Sequence, residues 1–370
     1  MFKTLLKNTD LVILISVILL VIIGIIGIYS AGYNDSELKT DYVKQFIWLI
    51  VSLVVLTIVW LLDYNMFGIL SIPLYVVCLG LLIAVLFTEE IYGASSWFTI
   101  GPVSIQPSEI TKIIYILLSA KFIDHILSKD KKAINKWYNI AAVFGIMLIP
   151  VVLILLQPDF GTAAVFLSIT IFMLYKAGIN YKYILGGILL LVVLVPLVYF
   201  FVLNDVQKER ILVFLNPNLD PLGSGYNALQ SKIAVGAGKI FGTGLLKGTQ
   251  TQYGYLPVKT SDFIFSVISE EMGFIISALL VIIYTVLLIR IVNISKTAKD
   301  MYGSLVAIGI FGMIFFHFLE NIGMTMGLLP ITGIPLPFVS YGGSNLLTNF
   351  IAIGIVLSIS ARRQRTLFID

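Results

Sequence analysis

The sequence predicts an all-α integral membrane protein with ten transmembrane helices and one large extracellular loop between helices 7 and 8. Three observations predict it. The 370 residues are 59% hydrophobic and only 12% charged, with a mean hydropathy of +1.01, which excludes an ordinary soluble domain. Apolar runs of about 20 residues recur, each long enough to cross a hydrocarbon core as a helix. The runs are continuous rather than alternating, which argues against a barrel.

The spans read as 11–30, 44–62, 68–87, 107–126, 138–156, 161–175, 181–203, 264–289, 302–326 and 343–360. The first is longer than the apolar part of a typical signal peptide, and a second span follows closely, so it reads as an uncleaved helix. Residues 1–203 thus carry helices 1–7, residues 204–263 the loop, and residues 264–370 helices 8–10. Short connections carrying Lys3, Lys7, Lys129, Lys131, Lys132, Lys136, Lys176, Lys182, Arg290, Lys296, Lys299, Arg362, Arg363 and Arg365 read as cytoplasmic, with both termini inside. The short outer connections hold only Lys39 and Lys44. This places the long loop outside.

Several stretches interrupt the apolar rhythm on that outer side. Residues 91–106 form a turn structure that leads into Pro107-Ser108-Glu109, a helix start. QPDFGT at 157–162 is a tight corner. GLLPITGIPLPFVSYGGSN at 327–345 is a Pro/Gly hairpin too apolar to be a free loop, and it is expected to dip back into protein. Within the long loop, Asn227 to Ile240 reads as a short amphipathic helix with Lys232 and Lys239 toward headgroups. GAGKIFGTG at 236–244 lacks the ending of a phosphate loop. One cysteine, Cys78, excludes an intrachain disulfide, and His125 and His317 lie far apart, which disfavours a His-rich metal site.

Asp262 is the sharpest candidate for chemistry. It closes the long loop directly before an apolar helix. The residue type leaves two readings open: a helix N-cap, or a general base where a membrane-anchored substrate presents its head group. Glu109 and Lys112 lie within a span and share a helix face, either as a structural pair or lining a substrate path. Glu270 and Glu271 are adjacent and point apart, so one is expected to face a polar cavity. His317 and Glu320 are spaced to bond each other. Arg210 suits a pyrophosphate through bidentate contacts or snorkels to headgroups. Trp97 reads as an interfacial anchor in preference to a stacking platform.

Four stretches in combination resemble the SEDS family (shape, elongation, division and sporulation): Gln106-Pro107-Ser108-Glu109 with Lys112; QPDFGTA at 157–163; GYNALQSKIAVGAG at 225–238 with LP and SDFIFSVISEEMG up to 273; and NIGMTMGLLPITGIPLPFVSYGGS at 321–344. The last resembles the elongation branch more than the division branch, with the sporulation branch a lesser likeness. The resemblance implies a glycosyltransferase that polymerises lipid II on the outer face of the bacterial cytoplasmic membrane. It implies a class B penicillin-binding protein as transpeptidase partner, within an elongation complex of membrane proteins; nothing points to nucleic acid. It implies that Asp262 is the essential catalytic carboxylate. Substrate-binding positions would be Arg210, Glu109, Lys112, Lys239, Gln230, Ser231 and Trp97. Glu271, Ser340, Tyr341 and Gly342 would shape the cavity. Four positions depart from the family pattern: Ser96 stands in place of Arg, Val258 of Glu, Ser261 of Thr and Lys239 of Gly.

That reaction needs a base on the acceptor 4-hydroxyl and stabilisation of a leaving pyrophosphate, with inversion at the donor carbon. Asp262 is the base, and Arg210 with nearby lysines offsets the developing charge. A divalent cation, Mg or Mn, bridging Asp262 and the pyrophosphate is compatible with the sequence and not required by it. The rival readings are a lipid II flippase or other transporter, and a scaffold that only recruits a transpeptidase.

Overall fold

The computed structural model describes residues 8–88, 96–100, 103–183 and 223–363, with isolated positions between 185 and 220. Most of the seventh expected span lies outside the described residues, as does Arg210. The other nine coincide with helices: α1 (Leu11–Gly32), α2 (Asp41–Leu61), α3 (Tyr64–Val85), α4 (Pro107–Lys129), α5 (Trp137–Leu155), α6 (Phe160–Lys176), α9 (Ile264–Thr297), α10 (Met301–Thr325) and α11 (Gly343–Arg362). Two more, α7 (Ser224–Ala237) and the four-residue α8 (Thr249–Gln252), fold the segment before α9.

Among the described residues, seven helices are long and apolar enough to cross a membrane: α1, α2, α3, α5, α9, α10 and α11. The chain is a multi-pass membrane protein. Helix α6 has only 17 residues, and α4 carries Glu109, Lys112, Lys121 and Asp124 among its apolar positions. Four helices start on an aspartate whose carboxylate accepts a first-turn N–H: Asp10 for α1, Asp63 for α3, Asp159 for α6 and Asp300 for α10.

Burial sorts the bundle into a centre and a rim. Within their most apolar windows α11 is 89% and α10 72% buried, against 28% for α2 and α5. The polytopic centre is therefore α10 and α11. The rim helices present Phe46, Ile50, Val54 and Ile58 of α2 and Ile69, Ile72 and Val76 of α3 outward. Apolar side chains on the outside are what a bilayer requires.

The turn structure read at 91–106 contains a small antiparallel hairpin, β1 (Phe98–Ile100) with β2 (Val103–Ile105), in the register Phe98↔Ile105, Thr99↔Ser104 and Ile100↔Val103. It is the single sheet among the described residues.

Helix α9 is broken. Gly273 takes φ +75° and ψ −173°, so its 34 residues are two helices that meet at that point. A break strands backbone groups that lipid cannot satisfy. The glycine-rich stretch read at 236–244 supplies their partners. Thr243 N–H donates to Glu270 O (2.9 Å), Gly244 N–H to Glu271 O (3.1 Å), Phe274 N–H to Lys239 O (2.9 Å) and Ile275 N–H to Ile240 O (3.3 Å). The approach is so close that a Cβ on Gly273 would stand 2.6 Å from Ile240 O.

Glu270 and Glu271 complete this joint. Both are buried, and both are surrounded by hydrogen-bond donors of the 244–252 segment, where the sequence led one of them to be expected at a polar cavity. Glu270 accepts from Gln250 N–H (2.7 Å), Thr251 N–H (3.0 Å) and Thr251 Oγ1 (2.7 Å). Glu271 accepts from Ser30 Oγ, Leu246 N–H (3.2 Å), Gly248 N–H (3.4 Å) and Gln252 Nε2 (2.8 Å). The two carboxylates strap residues 244–252 onto α9. Glu271 is structural.

Candidate active site

Of the hairpin expected at 327–345, the part from Ile334 onward folds into protein and is the wall on which the site is built, while Leu328, Pro330 and Gly333 stay exposed. Its backbone runs irregularly, so each polar group needs a partner. The partners come from α2, α9, α10, the end of the loop before α9 and the hairpin itself. Gln45 of α2 donates through Nε2 to Ser340 O (3.0 Å) and accepts through Oε1 from Gly342 N–H (3.2 Å). Tyr284 of α9 donates to Pro337 O. His317 of α10 contacts Pro335 O through Nδ1 (3.1 Å), Asn321 donates to Ile334 O (2.8 Å), and Thr332 Oγ1 donates to Glu320 Oε1 (2.9 Å). Ser340 Oγ donates to Ser261 O (2.6 Å) and accepts from Leu336 N–H (2.8 Å). Tyr341 N–H donates to Thr260 O (2.9 Å).

These bonds fix the backbone on both sides of Asp262. Asn321 Nδ2 bridges Asp262 O (2.9 Å) and Ile334 O, welding the end of the loop to the hairpin. The Asp262 side chain is half-buried, and Oδ2 lies 3.4 Å from where a Cβ on Gly333 would stand. Asp262 is not the N-cap. That position belongs to Phe263, with no side-chain cap bond, so the capping reading fails. Burial pushes the Asp262 carboxyl up to about 6. The Ser261 side chain bonds to it and partly offsets this, while negative Asp159 adds to the rise.

Asp159 is a residue the sequence reading missed. Its Oδ1 caps α6 at Thr162 N–H (2.9 Å), and its Oδ2 accepts from Gln106 Nε2 (3.2 Å). Burial raises its carboxyl above the usual carboxylate range, against the Thr162 hydrogen bonds and the Lys112 charge, which lower it. The signal was present as the QPDFGT corner, read only as a turn.

Behind Asp159 lies a buried polar chain. Lys112 Nζ pairs with Glu109 Oε1 (2.8 Å) and contacts His317 Nε2 (2.8 Å). Asn345 Nδ2 donates to Glu109 Oε2 (3.1 Å). A carbonyl only accepts, so His317 Nδ1 carries the proton that meets Pro335 O, and Nε2 accepts from Lys112. His317 therefore binds Lys112 and not Glu320, which reaches Thr332 instead. Lys112 and Glu109 are 1% and 2% exposed; the pair is fully inside protein, satisfied at both ends.

The remaining expected residues divide. Ser231 is buried, its hydroxyl donating to Thr325 O (2.8 Å) and meeting Ser266 Oγ (2.7 Å), so it anchors α7 on α9 and α10. Gln230 is half-buried on α7. Lys239 is exposed, and its carbonyl is spent at the α9 break, nine residues or about 13 Å of helix from the start of α9. Trp97 is half-buried, its carbonyl accepting from Thr88 Oγ1 (3.4 Å). Ser96 is buried, with a hydroxyl that has no partner among the described residues. Lys259, unread in the sequence, is buried and pairs with Asp35 (3.4 Å). Among the described residues no three His, Cys, Asp or Glu side chains form a metal-binding cluster.

Fold and site together define a polytopic membrane protein that gathers Asp262, Asp159 and a Glu109–Lys112–His317 chain under one hairpin at one end of its bundle. The chain belongs to the cell cycle protein family of FtsW, RodA and SpoVE, whose model matches residues 10–365. It is 33% identical to the peptidoglycan glycosyltransferase RodA of Treponema pallidum (strain Nichols), over 96% of this chain and 98% of that protein. It is 37% identical to the stage V sporulation protein E of Bacillus subtilis (strain 168), over 95% and 97%. A solved chain described under structural coordination of polymerization and crosslinking by a peptidoglycan synthase complex superposes with a TM-score of 0.84 at 29% identity, covering 96% of this chain and 99% of that one.

Proposed function

We propose that the chain is a peptidoglycan glycosyltransferase of the cytoplasmic membrane. It extends glycan strands from lipid II at the outer surface during cell-wall elongation. The observation that carries this is the state of Asp262: an uncapped carboxylate, held by its backbone and raised to about 6, at the loop end of the bundle. A base is most effective when its pKa lies near the working pH. The basic connections gather at the other end of the bundle, which supports the reading that Asp262 faces outside. The ten-helix count, with the loop between helices 7 and 8, is part of this proposal.

Asp262 takes the proton from the acceptor 4-hydroxyl. The acceptor oxygen bonds to the donor anomeric carbon as the bond to undecaprenyl diphosphate breaks, and the configuration inverts. The diphosphate leaves as an anion, so no second carboxyl must protonate it, unlike glycoside hydrolysis. Arg210 offsets that charge. The base supplies about 10²–10⁴-fold. The oxygen donors at Asp262 are of the hard kind that Mg²⁺ or Mn²⁺ takes together with substrate phosphates, and such an ion would add charge stabilisation. A class B penicillin-binding protein is the proposed partner, in line with the synthase complex to which this fold is similar.

The test supplies labelled lipid II to the purified protein, with and without its transpeptidase. Long glycan strands are expected. Translocation of lipid II in sealed vesicles without strands would instead establish a flippase, and neither activity would leave a scaffold. The 37% identity to a stage V sporulation protein supports a second setting for the same chemistry, sporulation. Restoration of rod growth in an elongation-deficient cell, against restoration of sporulation, separates the two.

A further inference from the structure

At the end of the bundle opposite Asp262, the ends of α6 and α9 part around a groove of about 490 Å³. Its lining includes Tyr175, Lys176, Ile179, Tyr181, Val292 and Lys296. The walls are apolar, and no acidic side chain lines them. Lys176 is half-buried, and its ammonium repels that of Lys296. Neither lysine forms an ion pair among the described residues. Acids are used elsewhere at this end: Asp10 pairs with Arg290 (2.7 Å), and Asp300 accepts from Tyr64 OH (2.5 Å). Tyr175 and Tyr181 are 70% and 71% exposed at the groove mouth, as aromatic side chains at a membrane interface are. Two cations without an ion-pair partner among the described residues, over an apolar floor at that level, lack one thing, an anion carried on a hydrocarbon tail.

We propose that this groove binds the phosphate group of an anionic glycerophospholipid, with Lys176 and Lys296 on the headgroup and the acyl chains against Val292 and the neighbouring lipid-facing surface. Basic pockets between transmembrane helices take acidic lipid headgroups in this way. The site is independent of the reaction at Asp262 and stands or falls separately from it. A free phosphate satisfies the lysines but leaves the apolar floor uncovered, so the lipid is the occupant.

The experiment is native mass spectrometry of the full-length protein equilibrated with equal amounts of phosphatidylglycerol and phosphatidylcholine. The parent protein retains phosphatidylglycerol preferentially. Each lysine near an anionic headgroup is worth about fivefold, so K176Q/K296Q lowers the retention ratio about 25-fold. K176R/K296R keeps the preference, which shows that charge is read and that the fold tolerates change here. K131Q/K132Q removes two exposed charges from the same end and leaves the ratio within about twofold. The proposal is overturned if K176Q/K296Q keeps the parent ratio, or if K131Q/K132Q loses as much. Displacement of the lipid by millimolar inorganic phosphate overturns the lipid assignment.

Discussion

Among single residues, Asp262 is set apart by its environment. Its carboxyl is pushed up to about 6 by burial, with Asp159 adding to the rise. The rate should therefore fall as pH drops through about 6, where the base becomes protonated. Asp159→Asn removes the added negative charge, so the acid limb of kcat/KM should move to lower pH; an upward move contradicts the assignment. Stability carries the opposite sign from the usual carboxylate. The folded pKa lies above the unfolded one, roughly 3.9, so ionisation costs the fold free energy. That cost grows from about pH 4 to about pH 6 and stays constant above, with a ceiling of about 3 kcal/mol. Asp262→Asn should thus raise the melting temperature at pH 8 and leave it unchanged at pH 4, read by thermal unfolding in detergent. The sequence showed Asp262 and its position but not its state. Capping and catalysis were equally open from residue order. The surroundings come from Asn321 and Gly333, 59 and 71 residues beyond Asp262 in the chain, and from Ser340, which holds the neighbouring Ser261 from 79 residues away.

At the scale of elements, the broken helix and the hairpin do the positioning. Gly273→Ala places a Cβ against Ile240 O at a backbone angle that L-residues avoid. It should release residues 239–252 and make them sensitive to limited proteolysis, at a cost of several kcal/mol; a variant as resistant as the parent would contradict the joint. Ser340→Ala leaves Leu336 N–H and Ser261 O without their partner. A cost of about 1–3 kcal/mol follows, and kcat should drop while KM changes little, because the base is misaimed and binding is kept. Helices were legible because apolar runs of 20 residues have one physical solution in lipid. The hairpin was legible because its prolines and glycines are too apolar for a free loop. The break was not. FIFSVISEEMGF keeps a helical composition across Gly273, and only the docked 239–244 segment makes the break affordable. The partners of His317 were misjudged for a similar reason: spacing within α10 favoured Glu320, but α4 and the hairpin stand closer.

At the scale of the whole molecule, one end of the bundle is braced for chemistry and the other is pinned by charge. The central helices α10 and α11 carry His317, Asn321 and Asn345 to the site end, where buried polar groups are costly unless matched. The match is near complete, so removing one partner should be worse than removing two. Lys112→Met alone strands Glu109 and should cost about 3–5 kcal/mol, while E109Q/K112M should recover much of that stability in the same unfolding assay. Full recovery of polymerisation by the double variant would assign the pair to packing alone. Beneath all of this is one claim, that the Asp262 carboxylate removes the acceptor proton as the diphosphate leaves. It is tested most directly by single-turnover extension of a glycan acceptor with lipid II, comparing the parent with Asp262→Ala in protein shown to be folded and no less stable than the parent. Bond formation should slow at least about 10²-fold with substrate still bound; a rate within a few fold of the parent would rule Asp262 out as the base.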